Sequence, residues 1–258
     1  KEELLYNPDI ALQDVVDIGI QKVIGKIEEY EKNSGTVLEE YEKPSAGLAL
    51  LRTDGETTEI YLIGDTQTII GYKDGNVKLA ENPNQKALQK LDGSVLNRMV
   101  ELAKERKCNV LDTRTDEEIE KMLQVNRSKK NSNEKDGYWV CGTTNGAAKY
   151  GVVCELKNSE IDAIILATDG FDYSVLELED KQAYAFVKEQ GTRVVTDLIR
   201  ERQNEDEMCN KYPRFKKGDI KFFSFHIYAI NAEYQYYPNF HHTRVFLANL
   251  NLLHLLHF

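Results

Sequence analysis

Residues 162–172 read Asp-Ala-Ile-Ile-Leu-Ala-Thr-Asp-Gly-Phe-Asp. The apolar run Ala163–Ala167 predicts a buried strand, and Thr168-Asp169-Gly170 ends it abruptly. A carboxylate at the end of a buried strand, next to a residue free to turn sharply, can be held rigidly at the lip of a cleft. That is a suitable place for an oxygen ligand to a hard cation such as Mg²⁺ or Mn²⁺. Taken alone, Asp-Gly is an ordinary polar turn. The weight therefore falls on what accompanies it.

Around that strand the chain alternates turn-rich strands with helices. Leu12, Val16, Ile20, Val23 and Ile27 recur at helical spacing and predict a helix over 8–31, closed by Asn33-Ser34-Gly35. Strands follow over 46–52 and 59–63, joined through Thr53-Asp54-Gly55-Glu56, then over 68–72 and 77–79, joined through Lys73-Asp74-Gly75-Asn76. Asp-Gly between apolar runs is a strong hairpin signal, so the first half reads as an antiparallel meander after a helix. The middle is helical. Residues 84–107 carry Leu88, Leu91, Leu96, Met99, Val100 and Leu102, and 115–125 opens with Thr115-Asp116-Glu117-Glu118, a capping-box pattern. Residues 126–136 are polar and read as a loop. Strand signals return over 138–141, 151–156 and 161–167, and helices follow over 179–189 and 192–205.

Composition narrows the classes. With 41% apolar and 29% charged residues, the chain has the make-up of a folded globular protein. Its net charge of −10 argues against a nucleic-acid surface, because phosphate backbones need clustered Lys and Arg. No apolar run is long enough to cross a bilayer, so no membrane partner is expected. Cys108, Cys141, Cys154 and Cys209 show no Cys-x-x-Cys spacing, which argues against a zinc site. Cys141 and Cys154 sit in apolar surroundings as packing residues. The expectation is a reduced, cytoplasmic protein.

After Ile220 the character changes. Residues 221–258 hold a single acid, Glu233, and all five histidines: His226, His241, His242, His254 and His257. A His-rich tract can bind metal. Here His241 and His242 adjoin, and His254 and His257 lie on a Leu-rich segment, so no native metal site is expected. Residues 221–230 are expected to supply a last strand, and the remainder to be an appended or aberrant tail that packs poorly on the body.

Three pieces carry the chemistry. Ile60-Tyr61-Leu62-Ile63-Gly64-Asp65-Thr66 is a strand ending in Gly-Asp-Thr. Ile165-Leu166-Ala167-Thr168-Asp169-Gly170-Phe171 is the buried strand with its Asp-Gly. Tyr212-Pro213-Arg214-Phe215-Lys216-Lys217-Gly218-Asp219-Ile220 is a polar approach to an Asp at a strand start. In this order, with helices between them, they resemble the metal-dependent protein phosphatases (the PPM family, type 2C), of the bacterial type. The resemblance covers roughly residues 8–220.

The resemblance implies an α+β fold of two packed antiparallel sheets flanked by helices, incomplete at its N-terminus. It divides the chain into a partial phosphatase-like domain over 1–220 and a last strand plus atypical tail over 221–258. It also implies two Mn²⁺ or Mg²⁺ ions in a cleft at one end of the sandwich, with Asp169 and Asp219 as metal ligands. Asp65 matches a structural Gly-Asp-Ser and is expected to hold a turn through hydrogen bonds; Asp172 is expected to be exposed. The activity implied is hydrolysis of phosphoserine and phosphothreonine in proteins by a metal-activated water. A phosphorylated protein would be the substrate, and a Ser/Thr kinase a partner in signalling. The alternative is a catalytically inactive phosphatase-like binding or regulatory module.

Two departures stand out. The family's Asp-Gly-rich first metal motif and its phosphate-binding Arg precede the first helix, near which this chain begins. Ile220 also stands where a second Asp or Asn usually follows Asp219. As it stands, the chain is expected to hydrolyse phosphoserine peptides or p-nitrophenyl phosphate very weakly. The segment Gly142-Thr143-Thr144-Asn145-Gly146 has no Gly-Lys-Ser/Thr continuation and reads as a plain loop.

Overall fold

The computed structural model describes residues 9–168 and 170–215, together with the backbone strands Tyr228–Ala229 and Arg244–Ala248. Helix α1 (Leu12–Ser34) is stopped by Gly35, whose left-handed φ of 69° lets its N–H return to the Glu31 carbonyl. Strands β1 (Leu48–Thr53), β2 (Thr57–Ile63), β3 (Gln67–Tyr72) and β4 (Val77–Leu79) follow. Helices α2 (Pro83–Arg106) and α3 (Glu117–Ser128) come next, then β5 (Val152–Lys157) and β6 (Ile161–Ala167). Helices α4 (Asp180–Gln190) and α5 (Thr192–Glu205) precede β7 (Tyr228–Ala229) and β8 (Arg244–Ala248).

The fold is α+β with two antiparallel sheets, in strand orders β5-β2-β1-β8 and β4-β3-β6-β7. Alternation along the strands sorts their side chains into layers. Ala49 and Leu51 of β1, Ile60 and Leu62 of β2, Ile70 of β3, and Ile161, Ile164 and Leu166 of β6 form one cluster between the sheets. On the other face of the first sheet, Leu50, Tyr61 and Ile63 pack against Leu12, Val16 and Ile20 of α1. On the other face of the second, Ile69, Ala163, Ile165 and Ala167 pack against Tyr184 and Val187 of α4 and Val195 and Ile199 of α5. Each large aliphatic side chain buried in these layers contributes about 1.5–3 kcal/mol.

β6 is interrupted once. Gly71 pairs with Ala163 and Tyr72 with Ile161, so Asp162 is skipped. This bulge turns Asp162 out of the inter-sheet layer, where it accepts hydrogen bonds from the Tyr184 hydroxyl (2.7 Å) and from Lys188. Burial pushes the Asp162 carboxyl up, but the Lys188 and Tyr184 hydrogen bonds outweigh it and the net shift is down. Gly71 beside it has no side chain because the Tyr184 ring occupies that space.

The structure departs from the sequence reading in four places. The first-half meander divides, with β1 and β2 in one sheet and β3 and β4 in the other. Residues 138–141 form isolated bridges in place of a strand, Ala46 with Cys141 and Lys130 with Tyr138. Side-chain amides satisfy this backbone: Asn84 Oδ1 accepts the Trp139 N–H (2.9 Å) and Asn131 Oδ1 the Val140 N–H (2.8 Å). The capping box does not form at Thr115, because Arg98 holds the Glu118 carboxylate through its Nε (2.7 Å) and Nη2 (3.0 Å). A capping box forms instead at Asn109 and Asp112, opening a short 3-10 helix over Val110–Thr115. Finally, Arg244–Ala248, within the expected tail, pairs with β1 over Ala49–Thr53. Among the described residues no helix is long and apolar enough to cross a membrane.

Candidate functional site

Only Gly64, Asp65 and Thr66 link β2 to β3, so the chain changes sheets within three residues. Two glycines make this corner possible. Gly64 has a φ of 82°, a conformation L side chains rarely adopt, and a Cβ there would strike the Gly47 backbone. A Cβ on Gly47 would in turn strike the Asp65 carboxylate. The Asp65 turn therefore lies directly on the entry to β1.

Asn82, fully buried at 1% exposure, clamps the corner from outside. Its amide donates to the Gly64 carbonyl (3.0 Å) and the Thr66 carbonyl (3.2 Å). Its Oδ1 accepts the N–H groups of Asn84 (3.2 Å) and Gln85 (3.4 Å), capping α2. Asn84 continues the network, donating to the Tyr150 carbonyl (3.2 Å) while accepting from Trp139. Trp139 and Tyr150 stack with ring centroids 3.5 Å apart. Near the corner, burial together with the Asp92 and Asp65 carboxylates pushes the Tyr138 hydroxyl up to about 12.

The strand register brings the second piece alongside. Gln67 pairs with Ala167, so Thr168 leaves β6 at the end where Thr66 enters β3. Phe171 is fully buried in the helix-covered face of that sheet, and its N–H donates to the Thr168 carbonyl (3.0 Å). Asp172 is exposed, as expected, and accepts from the Ser174 N–H (3.2 Å). Asp169 itself lies outside the described residues.

The third piece is organised by Asp206 at the end of α5. Its carboxylate accepts the N–H groups of Asn210 (3.1 Å), Lys211 (3.0 Å) and Tyr212 (2.7 Å). Arg214 folds back across the same turn, donating to the carbonyls of Tyr212 (3.0 Å) and Gln203 (2.7 Å). The Tyr212-Pro213-Arg214 motif thus builds the loop that leads toward Asp219. Asp219 and the five histidines lie outside the described residues.

Among the described residues no group of three or more His, Cys, Asp or Glu side chains is arranged to hold a metal ion. What they bring to this end of the sheets is the Asp65 corner and the ordered backbone on either side of position 169. Cys141 is unsuited as a nucleophile, since burial pushes its thiol up to about 12. The loop 142–146 is structural: Thr144 accepts from Asn131 (3.1 Å) and Asn145 from Gln21 (2.7 Å).

Sequence reading missed two supports. Asn82 announced itself as Asn-Pro at a helix start, but its grip on the Gly64–Thr66 corner spans 16 to 18 residues and has no local signal. Lys130 is buried at 5% exposure and pins the carbonyls of Glu40 and Lys43 (both 2.9 Å), ordering the loop that leads to Gly47. Desolvation pushes its ammonium down. No protein-family model matches this chain, and neither does any curated protein or solved structure.

Proposed function

We propose that this chain is a phosphatase-type domain of the metal-dependent protein phosphatase family, directed at phosphoserine and phosphothreonine in proteins. The observation that carries the reading is the register of β3 on β6. It brings Gly64-Asp65-Thr66 and the residues on either side of Asp169 to one end of two sheets that pack face to face under helices. The resemblance implies that arrangement; a sandwich of that particular family is part of the proposal.

Asp169 and Asp219 are the residues that would hold a pair of Mn²⁺ or Mg²⁺ ions. Bound there, the ions would supply an activated water and offset charge on the phosphoryl oxygens. The described residues have a positioning role in this reading. Asn82 fixes the corner beside Asp65, and Asp206 with Arg214 orders the approach to Asp219. A phosphorylated protein is the substrate, with a Ser/Thr kinase supplying it.

The test is Mn²⁺ titration followed by water proton relaxation, alongside phosphate release from a phosphothreonine peptide. Saturable binding is expected for the wild-type chain, and strong weakening in Asp169→Asn and Asp219→Asn with circular dichroism unchanged. Any phosphate release should follow Mn²⁺ occupancy. Equal Mn²⁺ binding by all three proteins would sink the assignment.

A further inference from the structure

A groove lined by residues 175–178 and by helices α4 and α5 opens over the helix-covered face of the second sheet. Its volume is about 880 Å³, within the size range of about 300–1,000 Å³ usual for binding sites. Its apolar wall is formed by Val175, Leu176, Phe186, Leu198 and Tyr212, of which all but Val175 remain partly exposed. Its rim carries four acids, Glu177, Glu189, Glu205 and Asp206, against two cations, Arg202 and Lys211.

The two cations are already matched within the rim. Arg202 pairs with Glu205 at 3.1 Å and Lys211 with Glu177 at 3.5 Å. Asp206 is taken up by the N–H groups of the 206–212 turn and by Arg214 at 4.0 Å. Glu189 has no ion-pair partner among the described residues and stands exposed beside Phe186. The groove thus joins an apolar lining to the unmatched charge of Glu189, on a chain of net charge −10. Such a field favours a cationic partner and repels an acidic one.

We infer that this groove docks a segment of a partner protein that presents an aliphatic or aromatic anchor flanked by Lys or Arg. The anchor fills the space between Phe186 and Tyr212, and the cation meets Glu189. The inference does not depend on phosphatase activity. Tyr212 belongs to the loop that Arg214 folds, so a docked segment would touch that loop.

The test uses the full chain and two labelled peptides that share one Leu and Phe spacing, one with Lys and Arg between them and one with Glu. Fluorescence anisotropy is read at low and high salt, with light scattering for oligomeric state. The basic peptide should bind, weaken as salt rises, and bind roughly tenfold more weakly to Glu189→Lys or Phe186→Glu, a change of about 1.4 kcal/mol. Glu189 is exposed, so its variant remains informative if Phe186→Glu does not fold. Equal binding of both peptides, or indifference to Glu189→Lys, overturns the inference. So does absence of binding, and a dimer that Phe186→Glu disperses would assign the groove to a second copy instead.

Discussion

Replacing Asn82 by Ala removes four hydrogen bonds at one buried point. Two hold the Gly64 and Thr66 carbonyls at 3.0 and 3.2 Å, and two cap α2 at 3.2 and 3.4 Å. Loss of a helix cap costs about 1 kcal/mol. A buried polar group left unpaired costs about 1–3 kcal/mol, and the carbonyls at the corner are too enclosed to recover a full water partner. The sum is about 3 kcal/mol, which for a domain of this size lowers Tm by about 6–12 °C. Chemical denaturation should show a lower midpoint at an unchanged slope. Asn82→Asp separates the two functions: it keeps the capping oxygen and replaces the amide donors with a carboxylate facing two carbonyl oxygens. If the clamp matters, Asn82→Asp loses at least half as much stability as Asn82→Ala. An Asn82→Asp protein within about 0.5 kcal/mol of wild type, the scale of a neutral substitution, would refute the clamp and leave only a cap.

Gly71→Ala forces a methyl group into the Tyr184 ring and should cost about 1–3 kcal/mol; paired with Tyr184→Leu the penalty should largely vanish in a double-mutant cycle. Thr115→Ala should be near neutral in thermal melts, whereas Asn109→Ala should cost about 1 kcal/mol, because the capping box forms at Asn109 and not at Thr115. Asp162 is held below the ordinary carboxylate range, so its contribution is present above the unfolded value near 3.8 and is lost as pH falls through the folded value. Asp162→Asn should therefore flatten the acid side of a stability–pH profile below about pH 4, and an unchanged acid limb would count against the Lys188 and Tyr184 contacts.

How much was legible follows from where the deciding contacts lie in sequence. The strand over 161–167 and the helix over 192–205 appear residue for residue, because an apolar run and an amphipathic period are local signals. The hairpin turns were equally plain: Asp54 and Asp74 each accept N–H groups two residues on, beside glycines with φ of 98° and 84°. The division of the meander into two sheets was hidden, since nothing local distinguishes the corner at Gly64–Thr66 from a hairpin within one sheet. Glu118 capped nothing because Arg98, 20 residues away, holds it. Of the candidate site, the sequence supplied the Asp-bearing turns, while the buried amides that position them became visible only in three dimensions.

The placement of the strand-end site rests on a contact at the opposite end of β6. Both faces of β6 are apolar, one against the first sheet and one against α4 and α5. Alternation of polar and apolar residues therefore cannot fix its register, although a one-residue slip would exchange the two faces. Asp162 supplies what alternation lacks. The bulge there turns its carboxylate outward to Tyr184 and Lys188, and this sets which residues pair with β3 from Ala163 to Ala167. Thr168 emerges six residues later, about 20 Å along the strand. Asp162→Leu should release that pin while adding apolar surface that either face could accept. Amide exchange across Ala163–Ala167 should then quicken and their resonances broaden through slippage, with the signals of Thr168 and Gly170 following them. Sharp, protected amides in Asp162→Leu would show that Phe171 and the inter-sheet packing hold the register unaided.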